Sequence, residues 1–199
     1  MSKGSPPFVG LTGGIGAGKS EALKALERLG AATLSTDALV HELLESGEIR
    51  DLLVERFGER VAADGRIDRN AVASVVFEDP DERKWLEGVL WPRVGARVND
   101  WRGEIAKRDP SPPAAVVEVP LLFESGMEAV FDHTIAVVTE EDVRRERAAA
   151  RGHTGVDSRA AAQLSQDEKA DRADFVVRND GDLPDLQEEL SAVLENIRL

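Results

Sequence analysis

The sequence predicts an α/β fold built on a five-stranded parallel sheet, and three observations carry that prediction. Five short apolar segments are nearly continuous rather than alternating, as in a sheet covered on both faces. Helical patterns separate them, so strand and helix alternate along the chain. About 80 residues lie between the second and third strands, where one crossover needs roughly a dozen. The surplus reads as an inserted helical subdomain.

In chain order, the first strand covers 8–12 and is followed by a glycine-rich loop and a helix over 19–29. The second strand is 32–35. A long helical stretch from 38 to 107 is punctuated at Gly58, Asp64-Gly65, Asp79-Pro80 and Trp91-Pro92. Asp109-Pro110-Ser111-Pro112-Pro113 is a stiff linker into the third strand, 115–119. The fourth strand, 134–139, leads into helices over 140–151 and 158–169. The fifth strand is 174–178. The last helix, 183–197, places Leu186, Leu190, Val193, Leu194 and Ile197 at helical spacing. The expected organisation is a core of 8–37 and 109–199, a helical insert of 38–108, and a helical lid at 140–169 within the core.

Composition limits the functions available. The net charge is −13, from 38 acidic and 25 basic residues, so no general basic surface is available for nucleic acid. No run approaches a membrane span, and no signal-peptide core follows the N-terminus. The absence of cysteine excludes disulfides, Cys-ligated zinc and thiol catalysis. A cytoplasmic protein without an obligate protein partner is expected.

Gly13-Gly14-Ile15-Gly16-Ala17-Gly18-Lys19-Ser20 fits the phosphate-loop pattern, with strand before it and helix after it. Its glycines allow a tight turn whose N–H groups converge on a β-phosphate, and the helix dipole adds to the attraction. Lys19 would bridge the β- and γ-phosphates of ATP, and the Ser20 hydroxyl would hold Mg²⁺. The fold is therefore expected to be of the P-loop NTPase kind. No base-reading motif of a GTPase is present, and the third strand, ending Val117-Glu118-Val119-Pro120, fits a motor ATPase poorly. Small metabolite kinases remain.

Ligands of open α/β sheets bind outside the carboxyl ends of the strands. Those ends carry Asp37, Glu118 with the Pro120-Leu121-Leu122-Phe123-Glu124 turn, Thr139-Glu140, and Asn179-Asp180-Gly181. Asp37 has two readings that do not exclude each other: a group that takes or orients the proton of an attacking hydroxyl, and the N-cap of a helix starting at Ala38. Arg144, Arg147 and Arg151 share one helix face, with Arg145 and Arg159 nearby. They read either as a lid that brings guanidinium groups onto the triphosphate or as a solvated face paired with Glu140, Glu141 and Glu146. Trp85, Trp91 and Trp101 read as core or interface residues, and His41, His133 and His153 lack metal-ligand spacing.

Taken together, these residues resemble the dephospho-coenzyme A kinases over nearly the whole chain. The likeness rests on Val9–Ser20, Asp37 and its helix, Gly65–Phe77, Asp79–Glu87, Pro120–Glu124, Arg147 and Arg151 followed by Gln163 and Lys169, and Ala173–Asn179. The resemblance implies ATP-dependent phosphorylation of the ribose 3′-hydroxyl of dephospho-coenzyme A, the last step of coenzyme A biosynthesis. It implies Asp37 as base or hydroxyl-orienting group, Lys19 and Arg147 on the transferring phosphoryl, and Arg144 and Arg151 on the nucleotide. Asn179 would lie by the adenine, Glu118 with Ser20 at Mg²⁺, and Leu121, Leu122, Phe123 and Trp91 toward the acceptor. Three departures stand out: Glu118 where the family usually has Asp, Trp91 where it has His before Pro92, and Arg144 in place of Gln. None removes Lys19, Ser20 or Asp37, so activity is expected. The alternatives are a kinase for another small acceptor and a catalytically silent nucleotide sensor.

Overall fold

A computed structural model describes residues 5–63, 65–144 and 163–197. The expected parallel sheet is present, in the order β2-β5-β1-β6-β7. Its strands are β1 (Phe8–Gly13), β2 (Ala32–Ser35), β5 (Ala115–Glu118), β6 (His133–Val138) and β7 (Phe175–Arg178). Every adjacent pair is parallel. The chain steps from β1 out to β2, returns to β5 beside β1, then crosses to β6 on the other side. The crevice where this direction reverses lies at the carboxyl end of β1, which is where the phosphate loop begins.

The chain divides into two compact units, one formed by Met1–Ser35 with Asp100–Leu199 and the other by Thr36–Asn99. In the first, Val9, Leu11, Val116, Ile135, Val137 and Val177 of the sheet are fully buried. Ala22, Ala25 and Leu26 of α1 (Lys19–Arg28) and Leu186 and Leu190 of the C-terminal helix α7 (Leu183–Ile197) pack on the same core. Leucine and alanine recurring at helical spacing turn one face of each helix to the sheet. Helix α6 (Gln166–Arg172) precedes β7.

The second unit holds α2 (Thr36–Glu45), α3 (Gly47–Phe57), a short β3–β4 hairpin (Ala62–Ala63 with Arg66–Ile67), α4 (Arg69–Glu78) and most of α5 (Pro80–Ile105). Ser46 and Asp68 cap α3 and α4 by accepting backbone N–H bonds. Leu43, Ile49, Leu53, Phe57 and Val72 are buried. Phe57 meets Trp85 edge-on at 5.4 Å.

Three local expectations are corrected. The break at Trp91-Pro92 does not occur, because α5 runs through Pro92. Proline at position 92 removes one helical N–H, and the helix continues without it. Within the helix expected over 158–169, residues 163–165 are not helical and α6 starts at Gln166, while 158–162 lie outside the described residues. Ser165 and Glu168 form a reciprocal capping box that sets this start, and hydrogen bonds from the Ser165 backbone N–H and hydroxyl hold the Glu168 carboxyl below its usual range. Finally, α2 begins at Thr36, so Asp37 sits in its first turn and is not the N-cap of a helix starting at Ala38.

Candidate active site

The phosphate loop is built by β1 running straight into α1. Gly18, the residue before the helix, has a left-handed backbone (φ 93°) and supplies no side-chain cap. That conformation suits glycine, and the positive end of the α1 dipole stands at the end of the loop, where an anionic ligand is favoured. The Ala17 N–H closes the loop on the Gly14 carbonyl at 3.2 Å. Lys19 Nζ donates to the Gly13 and Gly14 carbonyls at 2.9 and 3.2 Å, so its ammonium lies along the loop. Ser20 is exposed at the helix start, and Ile15 is half-buried.

Neighbouring segments press on the loop. A Cβ at Gly16, whose φ is +82°, would stand 2.8 Å from the Arg144 carbonyl oxygen, and one at Gly14 would stand 3.1 Å from the Gln166 side chain. Gly16→Ala therefore combines backbone strain with a clash against rigid main chain. It should lower ATP affinity about tenfold and reduce stability by about 1–3 kcal/mol, as calorimetric titration and thermal melting would read. An unchanged dissociation constant would show that the loop relaxes without cost.

Asn179 is buried, and its amide donates to the Ala17 carbonyl at 2.9 Å. The side chain expected beside adenine thus ties the end of β7 to the phosphate loop, a role that sequence spacing does not reveal. Next to it, Thr139 Oγ1 donates to the Asn179 carbonyl and to Asp180 Oδ1, both at 2.9 Å. Gln166 pairs its amide with the main chain of Thr139 at 3.1 and 3.0 Å.

Arg144 makes a two-pronged pair with Glu141 at 2.9 and 2.7 Å, while its Nη1 would lie 3.8 Å from a Cβ at Gly14. The guanidinium that pairs with Glu141 thus also lies beside Gly14 of the phosphate loop. Arg147 and Arg151, with Arg145 and Arg159, lie outside the described residues.

Glu118 ends β5, flanked in register by Leu11 of β1 and Ser35 of β2. It is buried, and Ser35 Oγ donates to its Oε2 at 2.8 Å. The longer Glu side chain thus has a partner that holds it, one that reading β2 alone did not single out. Asp37, exposed in the first turn of α2, follows Ser35 by two residues. Trp91 on α5 is 52% exposed, the Trp91 ring being open rather than part of a core. In the 120–124 turn, Leu121 is half-buried, whereas Leu122 and Phe123 are core residues. Leu122 packs toward Gly10, where a Cβ would come within 3.1 Å of it. Leu122 and Phe123, expected toward the acceptor, thus present little surface in this structure.

A family model described as CoaE, dephospho-CoA kinase, matches residues 7–185. The chain belongs to the dephospho-CoA kinase family. It is 39% identical over 181 residues to a dephospho-CoA kinase of Symbiobacterium thermophilum, a match covering 88% of this chain and 75% of that protein. It is 38% identical over 192 residues to one from Synechococcus sp., with 94% of each covered. The solved structure of TT1252 from Thermus thermophilus is similar at a TM-score of 0.81 and 35% identity, covering 96% of this chain and 98% of that one. Family membership makes this chain a kinase that uses ATP.

Proposed function

We propose that the protein transfers the γ-phosphoryl group of ATP to the ribose 3′-hydroxyl of dephospho-coenzyme A, releasing ADP and coenzyme A. The observation that carries the reading is the complete phosphate loop, with Lys19 lying along its own carbonyls, in a chain whose family match spans nearly its whole length. Lys19 would turn from the Gly13 and Gly14 carbonyls to the β- and γ-phosphate oxygens, with the loop N–H groups and the α1 N-terminus around the β-phosphate. Asp37 would accept the hydroxyl proton as the ribose oxygen attacks in line. Arg147 would stabilise the transferring phosphoryl, with Arg144 and Arg151 on the nucleotide. The 38–108 insert would hold the acceptor, Trp91 offering an open aromatic face and Leu121 an apolar one. Residues 140–169 would form the lid that keeps water from the phosphoryl group.

Mg²⁺ fits the residues present. The Ser20 hydroxyl and the Glu118 carboxylate are hard oxygen donors, the kind that Mg²⁺ takes alongside nucleotide phosphates. Bound there, it would neutralise charge on the β- and γ-phosphates. The reaction is that of a cytoplasmic biosynthetic enzyme, and no helix among the described residues is long and apolar enough to cross a membrane.

The test is an ADP-release assay with dephospho-coenzyme A, nucleoside monophosphates and adenosine as acceptors. ADP release with dephospho-coenzyme A alone is the expected result. Release with another acceptor would reassign the substrate. ATP binding without ADP release on any acceptor would favour a nucleotide sensor.

A further inference from the structure

Lys169, on α6, has no solvent exposure. Its ammonium contacts the Pro120 carbonyl at 2.8 Å, Glu124 Oε1 at 2.9 Å and Thr12 Oγ1 at 3.3 Å. An ammonium has three donors, and each has an acceptor here. Thr12 Oγ1 in turn donates to the Pro120 carbonyl at 3.3 Å. Glu124 Oε1 also accepts the Leu164 N–H at 2.8 Å, whereas its Oε2 is buried without a hydrogen-bond partner among the described residues.

A buried ion pair with an orphaned oxygen is a poor device for stability, because apolar residues of the same volume often serve as well or better. What distinguishes this pair is the set of segments it joins. Thr12 is the residue before Gly13, where the phosphate loop begins. Pro120 stands two residues past Glu118 and opens the turn that ends at Glu124. Leu164 leads into α6, whose Gln166 lies against Gly14. One ammonium thus spans the entry to the phosphate loop, the loop after β5 and the base of α6.

We propose that Lys169 and Glu124 are positioning residues for phosphoryl transfer: their ion pair fixes the phosphate loop, through Thr12, against the segment that carries Glu118. Neither side chain need touch a ligand. The inference rests on the kinase reading, since it assigns the pair a part in that site's geometry. Transfer between two bound reactants is sensitive to displacements of about 1 Å, and nucleotide binding by the loop alone is less so. Loosening the pair should therefore lower kcat more than ATP affinity.

The experiment compares wild type, the uncharged double variant Lys169→Met/Glu124→Gln, and Thr12→Val. The double variant leaves no buried charge, and Thr12→Val removes only the hydroxyl that Lys169 holds. For the double variant, kcat should fall about 10- to 100-fold, with the ATP dissociation constant within about threefold and the melting temperature within a few degrees of wild type. For Thr12→Val the fall should be smaller, about 3- to 10-fold, with the melting temperature again within a few degrees of wild type. Should the double variant not fold, Thr12→Val decides. Wild-type kcat in the folded variants, or a kcat loss that only tracks a fall in melting temperature, would overturn the proposal. If wild type phosphorylates a different acceptor, the same comparison is made with that acceptor. Wild type inert toward every acceptor would sink the proposed function as well. An active wild type with unaffected variants would sink the positioning role alone.

Discussion

Replacing Asp37 by asparagine is expected to lower turnover by roughly two to four orders of magnitude with little change in fold or ATP affinity. The two side chains share a shape, so packing is preserved at this exposed position. What is lost is the carboxylate. An amide can still orient a hydroxyl, but it cannot take the proton as the oxygen attacks. The stability cost is bounded by the location in the first turn of α2, where a negative charge gains about 0.3–1 kcal/mol from the helix dipole. Steady-state kinetics with both substrates saturating, read beside a thermal melt, separates these effects. Turnover near wild type would remove Asp37 from the catalytic role and leave it as a helix-terminal acid.

Lys19→Ala is expected to lower turnover by about two to three orders of magnitude, the range for removing one preorganised donor from developing charge. ATP affinity should weaken too, because Lys19 would meet the phosphates in the ground state as well. Its present bonds to the Gly13 and Gly14 carbonyls add a second effect. Without them the loop loses two internal ties, so part of the loss should appear as slower or weaker nucleotide binding. Single-turnover measurements at saturating ATP isolate the chemical part. If the single-turnover rate at saturating ATP is unchanged, Lys19 only binds.

The sheet was legible because buried parallel strands leave a local mark: continuous valine and isoleucine between helical patterns. All five strands start and end within one residue of their expected limits; β7 starts at Phe175, where Asp174 turns its carboxylate to the Thr134 N–H and hydroxyl, both at 2.8 Å. The last helix, Leu183–Ile197, matches its expected span, since five apolar positions at helical spacing define it. The start of α6 was legible in principle, as Ser165 and Glu168 carry the capping-box spacing. The continuity of α5 through Pro92 was not, because proline ordinarily breaks or kinks a helix interior.

By itself the sequence determined the alternation of strand and helix and the phosphate loop, because a loop of eight consecutive residues needs only its own backbone freedom and the helix that follows. Tertiary structure decided which distant groups brace that loop. Asn179 reaches Ala17 across 162 residues, Lys169 reaches Thr12 across 157, and Ser35 reaches Glu118 across 83. These pairings follow from the strand order β2-β5-β1-β6-β7, which sets the ends of β2, β5, β1 and β7 along one edge. A hydrogen bond requires contact within about 3 Å, and neither spacing nor composition encodes proximity between residues so far apart in the chain. The chemistry of the site is thus written locally, and its rigidity is assembled by the fold.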